Sequence, residues 1–349
     1  MDLSGVGALD STELTAWCRI DLETELRTSV GDAPSPLFDA VRYHLGWLDE
    51  RGCEASLPGG KRLRPILCLL SCHGVGGNYR MALPAAAAIE LVHNFSLIHD
   101  DIQDRSPQRH HRPTLWSRWG DAQAINAGDG LHVLAHLAHL RLRKAGIPPE
   151  KTLATLKELD GASLELCEGQ YLDISFEEET RVSLQSYLTM IGKKTAALFA
   201  ASTRIGAILG GEDGDTTESL GRFGEDLGLS FQIQDDILGI WGIEQDTGKP
   251  SLDDIRAKKK SLPIVHAMGS AQPHALSVLD HAFGKGAVSD EKLAAVVDIL
   301  DGAGSREYCE GIARQYWDRA WSRLDGLKLD STAEEALRQL ATELVARAT

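Results

Sequence analysis

The chain has 349 residues, 43% of them hydrophobic and 25% charged, ordinary values for a globular protein with a sizeable core and little disorder. A formal charge of −15 excludes the basic face that nucleic acid requires, so an anionic ligand needs a local cationic pocket. The opening MDLSGVGALDSTEL has no basic segment leading into an apolar run, and no stretch reaches the ~18 apolar residues of a bilayer span. A cytoplasmic protein without a transmembrane segment is therefore expected.

Apolar residues recur at spacings of three and four almost throughout, and alternating runs bounded by hairpin turns are scarce, so the chain reads as all-α. Helices are predicted over 11–30 and 36–52, then over 62–75, where Pro65 sits in a tolerant first turn. That third helix opens on GGKRLRP, which places Lys61 and Arg64 three apart at a glycine-led start suited to an anion.

A helix over 80–103 carries AAAAIELVHNFSLIHDDIQD, apolar except for one stripe. At 100° per residue His93, Asp100 and Asp104 fall in one narrow sector, and with Asp101 the segment ends in three carboxylates that need a cation among them. The charged loop DRSPQRHHRPT (104–114) follows, and its Trp116 and Trp119 neighbours are expected to pack it down. The next helix, 120–145, aligns His132, His136 and His139 at i, i+4 and i+7, read as packing or interface residues rather than as a metal face.

Helices over 150–174 and 182–210 carry GQYLD and KKT, the latter giving Lys194 and Thr195. The helix over 216–241 ends in FQIQDDILG, with Asp235 and Asp236 at its far end and Gln232 one turn before Asp236. A charged loop over 242–260 contains Lys249 and Lys259. Helices over 262–283, 289–302, 304–325 and 331–348 complete the chain, with Pro263 in a first turn and Ser331-Thr-Ala-Glu334 at capping-box spacing. No low-complexity linker divides residues 1–349, so one domain is expected: long helices bundled around a central cavity.

Two acidic helix ends can hold hard divalent cations through oxygen, and Mg²⁺ typically shares its shell with substrate phosphates. Mg²⁺ is thus the expected cation, and the basic clusters are its expected complement. The six cysteines contain no C-x-x-C pair, so neither zinc nor a disulfide framework is suggested. Glu90 and His93 form the E-x-x-H of di-iron bundles, but that site needs the motif twice and it occurs once.

The order GGKRLRP, IELVHNFSLIHDDIQD, RHHRPT, GQYLD, KKT, FQIQDDILG, TGKP and KKKSLP, within residues 40–270, resembles the trans-isoprenyl diphosphate synthases, or polyprenyl synthetases, most closely the short-chain bacterial geranylgeranyl and farnesyl diphosphate synthases. The resemblance implies condensation of an allylic diphosphate with isopentenyl diphosphate by a homodimer carrying three Mg²⁺. It implies that Asp100, Asp104 and Asp235 bind metal, alongside Asp101, Asp236 and Lys194 in the catalytic set. It further implies that Arg109, Lys194, Thr195, Gln232, Lys249 and Lys259 contact the allylic diphosphate. Gly60, Lys61, Arg64 and His93 match the isopentenyl diphosphate site.

Two positions depart from the family pattern. His110 stands where a second arginine of the isopentenyl site is common, and Gly239 stands where a third aspartate often ends the second motif. Phe95 and Ser96, five and four residues before Asp100, match the positions that set product length, lying ~6 to 7.5 Å deeper along the helix. A bulky residue beside a small one suggests a C20 product, geranylgeranyl diphosphate, with C15 farnesyl diphosphate as the alternative. A class I terpene cyclase shares D-D-x-x-D but lacks GGKRLRP, and a non-catalytic partner subunit usually loses the acidic ligands retained here.

Overall fold

A computed structural model describes residues 10–57, 60–211, 214–242, 252–284 and 288–345. The described residues are almost entirely helical, and they group into two compact units. Met1–Gly161, Ala201–Gly221 and Gly326–Leu340 make up the first; Ala162–Ala200, Arg222–Asp325 and Ala341–Thr349 make up the second.

In the first unit, helix Ser11–Val30 begins with a capping box: the Asp10 carboxylate accepts from Glu13 N (2.8 Å) and the Glu13 carboxylate accepts from Asp10 N (3.3 Å). Its buried stripe, Leu14, Cys18, Leu22 and Leu26, repeats every four residues. Helix Pro36–His44 stops well short of the expected residue 52. The backbone turns at Gly46 (φ +82°), where a Cβ would stand 2.8 Å from Leu57 O, and pairs back through Ala55 N to Trp47 O and Leu57 N to Gly46 O. Only glycine fits both the left-handed turn and that approach.

Helix Leu83–Gln103 is the centre of the unit and packs on Asp121–Leu140, Leu63–Gly74 and Ser11–Val30. Ala85 to Ala88 are fully buried, so neighbours approach its first turns closely. With the preceding turn, Tyr79–Gln103 is long and apolar enough to cross a membrane by length and composition, contrary to the expectation from sequence, yet 78% of its apolar window is buried inside the protein.

The second unit holds two apolar clusters. One gathers Phe176, Tyr187, Ile191, Ile233 and Leu262; the other gathers Ile240, Ile255, Ile264, Phe283 and Val296. The helix expected over 182–210 is Leu184–Ile191 and Ala197–Gly210 joined by a π-helical turn, Gly192–Ala196. That expected over 262–283 breaks into Leu262–Ser270 and Pro273–Ala282, because the residues preceding Pro273 are pushed into extended backbone. Two short helices, Leu115–Trp119 and Asp253–Arg256, and a hairpin at Gln108–Pro113 were not foreseen.

The last helix, Ser331–Val345, is capped one residue earlier than its spacing suggests. Asp330 Oδ1 accepts from Thr332 N and Ala333 N, both at 3.0 Å, so the expected Ser331 cap gives way to a charged one.

The three aligned histidines have separate partners. His132 packs on Phe95 (ring centroids 4.8 Å apart), and His136 Nε2 lies 2.8 Å from Asp160 Oδ1. His139 is fully buried and its Nε2–H donates to Thr152 O (3.2 Å), so burial lowers its pKa from 6.5 to about 4. Between these two values the unfolded chain binds the proton and the folded chain does not. The stability His139 allows is therefore complete above pH 6.5 and lost as pH falls toward 4. In urea titrations across that window we expect His139→Asn to show a shallower acid loss than the parent, by up to ~1.4 kcal/mol per pH unit; identical slopes would contradict a buried neutral imidazole.

Candidate active site

The GGKRLRP segment lies in the first unit. Gly60 has φ +86°, a value that favours glycine, and Arg19 of the first helix donates to Lys61 O (2.8 Å), fixing the strand of chain that carries Lys61. Helix Leu63–Gly74 follows with no side-chain cap, leaving its first-turn N–H groups for another acceptor. Arg62 pairs with Glu90 (2.6 Å), which is almost fully buried and also accepts from Asn94 Nδ2 (2.7 Å). Glu90 is thereby committed to an arginine, which removes it from any iron site.

Arg64 donates to His93 Nε2 at 3.3 Å. Guanidinium has no acceptor, so this imidazole nitrogen is unprotonated. Burial, then Arg64, Arg109 and Arg62, hold His93 well below its usual pKa. His44 behaves alike: burial and the charges of Arg109, Arg62 and Arg112 lower it to about 3. Four arginines thus surround two neutral imidazoles inside a strongly acidic protein.

At the end of helix Leu83–Gln103 the carboxylates divide. Asp101 is 3% exposed and accepts from Arg109 Nε (3.0 Å) and Nη2 (2.8 Å), with burial raising its pKa against the pull of that arginine. Asp100 and Asp104 are half-buried. Arg109 is placed by the hairpin Gln108–Arg109/Arg112–Pro113, whose two-residue turn puts both His110 and His111 at positive φ (50° and 59°). This is the twist that two-residue hairpins require, strained for residues other than glycine. His110 is consequently at the exposed tip. Trp116 Nε1 donates to Ser106 O (2.8 Å) and packs under Arg105, tying the loop down as expected.

The second unit repeats the division. Asp236 is 6% exposed and accepts three hydrogen bonds: Tyr187 OH (2.6 Å), Leu262 N (2.8 Å) and Gln232 Nε2 (2.9 Å). Burial raises its pKa to about 7, Asp254 adding to the rise and the hydrogen bonds opposing it. Asp235 is exposed. Gln232 Oε1 accepts from Thr195 Oγ1 (2.7 Å), so Thr195, Gln232 and Asp236 form one chain of bonds. Lys194 pairs with Asp173 of GQYLD.

Lys194 and Thr195 sit in the π-helical turn, where two glycines admit the neighbouring helices. A Cβ on Gly169 would stand 2.2 Å from Lys194 N, and one on Gly228 would stand 2.7 Å from Ala196 Cα. π-turns widen a helix locally and recur at functional positions. Lys259 is half-buried, with its N–H donating to Asp254 O (2.9 Å); Lys249 lies outside the described residues.

The profile of the polyprenyl synthetase family matches residues 47–300. The chain is 39% identical over 310 residues to the (2E,6E)-farnesyl diphosphate synthase of Mycobacterium tuberculosis, covering 88% of this chain and 85% of that one. It superposes on a polyprenyl synthetase from Streptomyces coelicolor A3(2) with a TM-score of 0.88 at 38% identity, covering 96% of this chain and all of that one. A geranylgeranyl pyrophosphate synthase from Corynebacterium glutamicum, complexed with isoprenyl diphosphate and magnesium, matches with a TM-score of 0.82 at 28% identity, over 97% and 100% of the two chains.

The chain belongs to the polyprenyl synthetase family. It is a short-chain trans-prenyltransferase, and the cyclase and non-catalytic readings are set aside. Polyprenyl synthetases join an allylic diphosphate to isopentenyl diphosphate and use a divalent metal. The residues fit such a metal, because carboxylate oxygens are the donors that a hard divalent cation takes.

Sequence reasoning missed Tyr187 and His44 and gave no role to Asp173 of GQYLD or Arg112 of RHHRPT, since each matters through a partner distant in the chain. It also passed over Gly169, although an isolated glycine inside a helical pattern marks close packing. We expect Gly169→Ala to lose ~1–3 kcal/mol of stability by overpacking and, by displacing Lys194, about 10²-fold in kcat/KM. Gly161→Ala, on the same helix with nothing within 4 Å of its Cβ, serves as the control and should be neutral or better. Equal behaviour of the two variants in urea unfolding and steady-state kinetics would refute the account of the π-turn.

Proposed function

We propose that this polyprenyl synthetase extends an allylic diphosphate with isopentenyl diphosphate to geranylgeranyl diphosphate, farnesyl diphosphate being the alternative product. In this reading Asp100, Asp104 and Asp235 share three Mg²⁺ with the allylic diphosphate. Arg109, Lys194, Thr195, Gln232, Lys249 and Lys259 line that diphosphate, while Gly60, Lys61, Arg64, His93 and His110 border isopentenyl diphosphate. The observation that carries it is the cluster of Arg62, Arg64, Arg109 and Arg112 around His44 and His93, which burial first and then these arginines hold neutral in a chain of net charge −15.

Such a potential suits the chemistry. Breaking the allylic C–O bond leaves a carbocation and a diphosphate, so fixed cations lower the barrier by meeting the departing charge. The metal, when bound, supplies further Lewis-acid stabilisation of that leaving group. Arg109, held by Asp101, and Lys194, held by Asp173, are oriented before substrate arrives. The isopentenyl double bond then attacks the carbocation, and the released diphosphate takes one proton from the resulting cation, which restores the double bond. The acidic residues at the second position of each motif, Asp101 and Asp236, act here by positioning.

Phe95 and Ser96 are 8% and 6% exposed, and the Phe95 ring is wedged against His99 (5.5 Å) and His132 (4.8 Å). A ring so held makes a fixed floor, which supports termination at C20. Val133, Leu137 and Leu140 are exposed on helix Asp121–Leu140, and this apolar face is the proposed homodimer contact. We further read the chain as one domain, since helices Pro149–Glu178, Ala197–Gly210 and Asp215–Trp241 each give residues to both compact units. Its six free cysteines accord with a cytoplasmic setting.

Product analysis tests the chain-length reading: with farnesyl and isopentenyl diphosphates the enzyme should make C20, Phe95→Ala longer products and Ser96→Phe shorter ones. Absence of C20 from the parent would leave farnesyl diphosphate as the product. Sedimentation equilibrium should give a dimer, and Val133→Asp a monomer; a monomeric parent would dismiss the interface.

A further inference from the structure

The hairpin Gln108–Arg109/Arg112–Pro113 closes on His110 and His111, both in left-handed backbone (φ 50° and 59°). Such a turn ordinarily takes asparagine and glycine. Histidines persist in it only where the surroundings over-determine the conformation. One strand has its restraint in Asp101, which grips Arg109. The other is held by a ring from a different helix.

That ring is Tyr43, 3% exposed near the end of helix Pro36–His44. Its OH donates to the carbonyl of Pro113, the last residue of the hairpin (2.9 Å). The Arg112 guanidinium lies over the ring, 4.1 Å from its centroid, and that of Arg118 lies over it at 4.9 Å. Both arginines also reach the segment that leads into GGKRLRP: Arg112 Nη2 donates to Leu48 O (2.9 Å), and Arg118 Nη2 donates to Glu50 O. This segment is itself folded back on Gly46 and Trp47, with Arg27 over the Trp47 ring (4.7 Å). A cation held over a desolvated aromatic face orients both groups. All of these residues belong to the first unit.

We propose that Tyr43 is a positioning residue for isopentenyl diphosphate: by holding Arg112 and Pro113 it keeps the His110–His111 turn left-handed, so that His110 meets the diphosphate from a fixed backbone. An imidazole offers an N–H donor even when neutral, and a single donor on a short side chain binds best when the backbone beneath it is already ordered. This rests on the place given to His110 beside isopentenyl diphosphate above. Because Arg109 keeps its own carboxylate partner, loosening Tyr43 should spare the allylic substrate.

Steady-state kinetics of the full chain, with geranyl and isopentenyl diphosphates varied in turn, test this. Tyr43→Phe keeps the ring and removes the bond to Pro113 O. It should raise KM for isopentenyl diphosphate about 5-fold, the size of one net hydrogen bond, with kcat and KM for geranyl diphosphate within about twofold of the parent. Adding His111→Gly, which forms the turn without strain, should bring that KM back to within about twofold of the parental value. In a His110→Ala background, Tyr43→Phe should have no further effect on it. If Tyr43→Phe lowers kcat and raises both KM values together, or changes nothing while His110→Ala raises KM for isopentenyl diphosphate, the inference is overturned and the place of His110 stands. If His110→Ala leaves that KM at the parental value, both fall. Should Tyr43→Phe fail to fold, Arg112→Lys, which keeps the charge and loses the planar group over the ring, takes its place with the same expectations and the same overturning results.

Discussion

The site depends on how this protein holds carboxylates that repel each other. Asp100, Asp101 and Asp104 fall within five residues, and Asp235 and Asp236 are adjacent, in a chain already carrying −15. Each unit solves this alike. The second aspartate of its motif is buried and fully bonded, Asp101 by Arg109 and Asp236 by Tyr187, Gln232 and the N-terminus of helix Leu262–Ser270. Burying a carboxylate without such partners would cost several kcal/mol. With them, it becomes an anchor that sets the direction of the first aspartate.

The same anchors organise the cations. Arg109 is aligned by Asp101, Lys194 by Asp173 and Arg62 by Glu90, so the positive groups keep fixed geometry despite long side chains. Preorganised charge needs no rearrangement when a leaving group develops. The cost is seen in the backbone at His110 and His111, both at positive φ, while Lys194 sits in a π-turn. Both irregular segments carry residues matched to diphosphate contacts.

Much of this was readable along the chain because each motif is local. GGKRLRP, the two acidic helix ends and KKT each sit on one turn or one helix face, and their order sufficed to find the family. Helix boundaries followed where a cap marked them, as at Ser11, and failed where tertiary packing intervened, as at Gly46, or where a local breaker was passed over, as at Pro273. The histidines of helix Asp121–Leu140 share a face on paper. Their partners, Phe95, Asp160 and Thr152, come from other helices.

By itself, the sequence determined the helical class, the family and the residue types proposed to meet diphosphate and metal, since helical periodicity and motif order are properties of neighbouring residues. Tertiary structure decided which aspartate of each motif is an anchor, that burial with neighbouring arginines leaves His44 and His93 neutral, and that a carboxylate from Asp254 fills the space at Gly239. The physical reason is range. Tyr187 and Asp236 are 49 residues apart and Arg62 and Glu90 are 28 apart, and burial, hydrogen bonding and the electric field at a side chain are set by groups that only folding brings within a few ångströms.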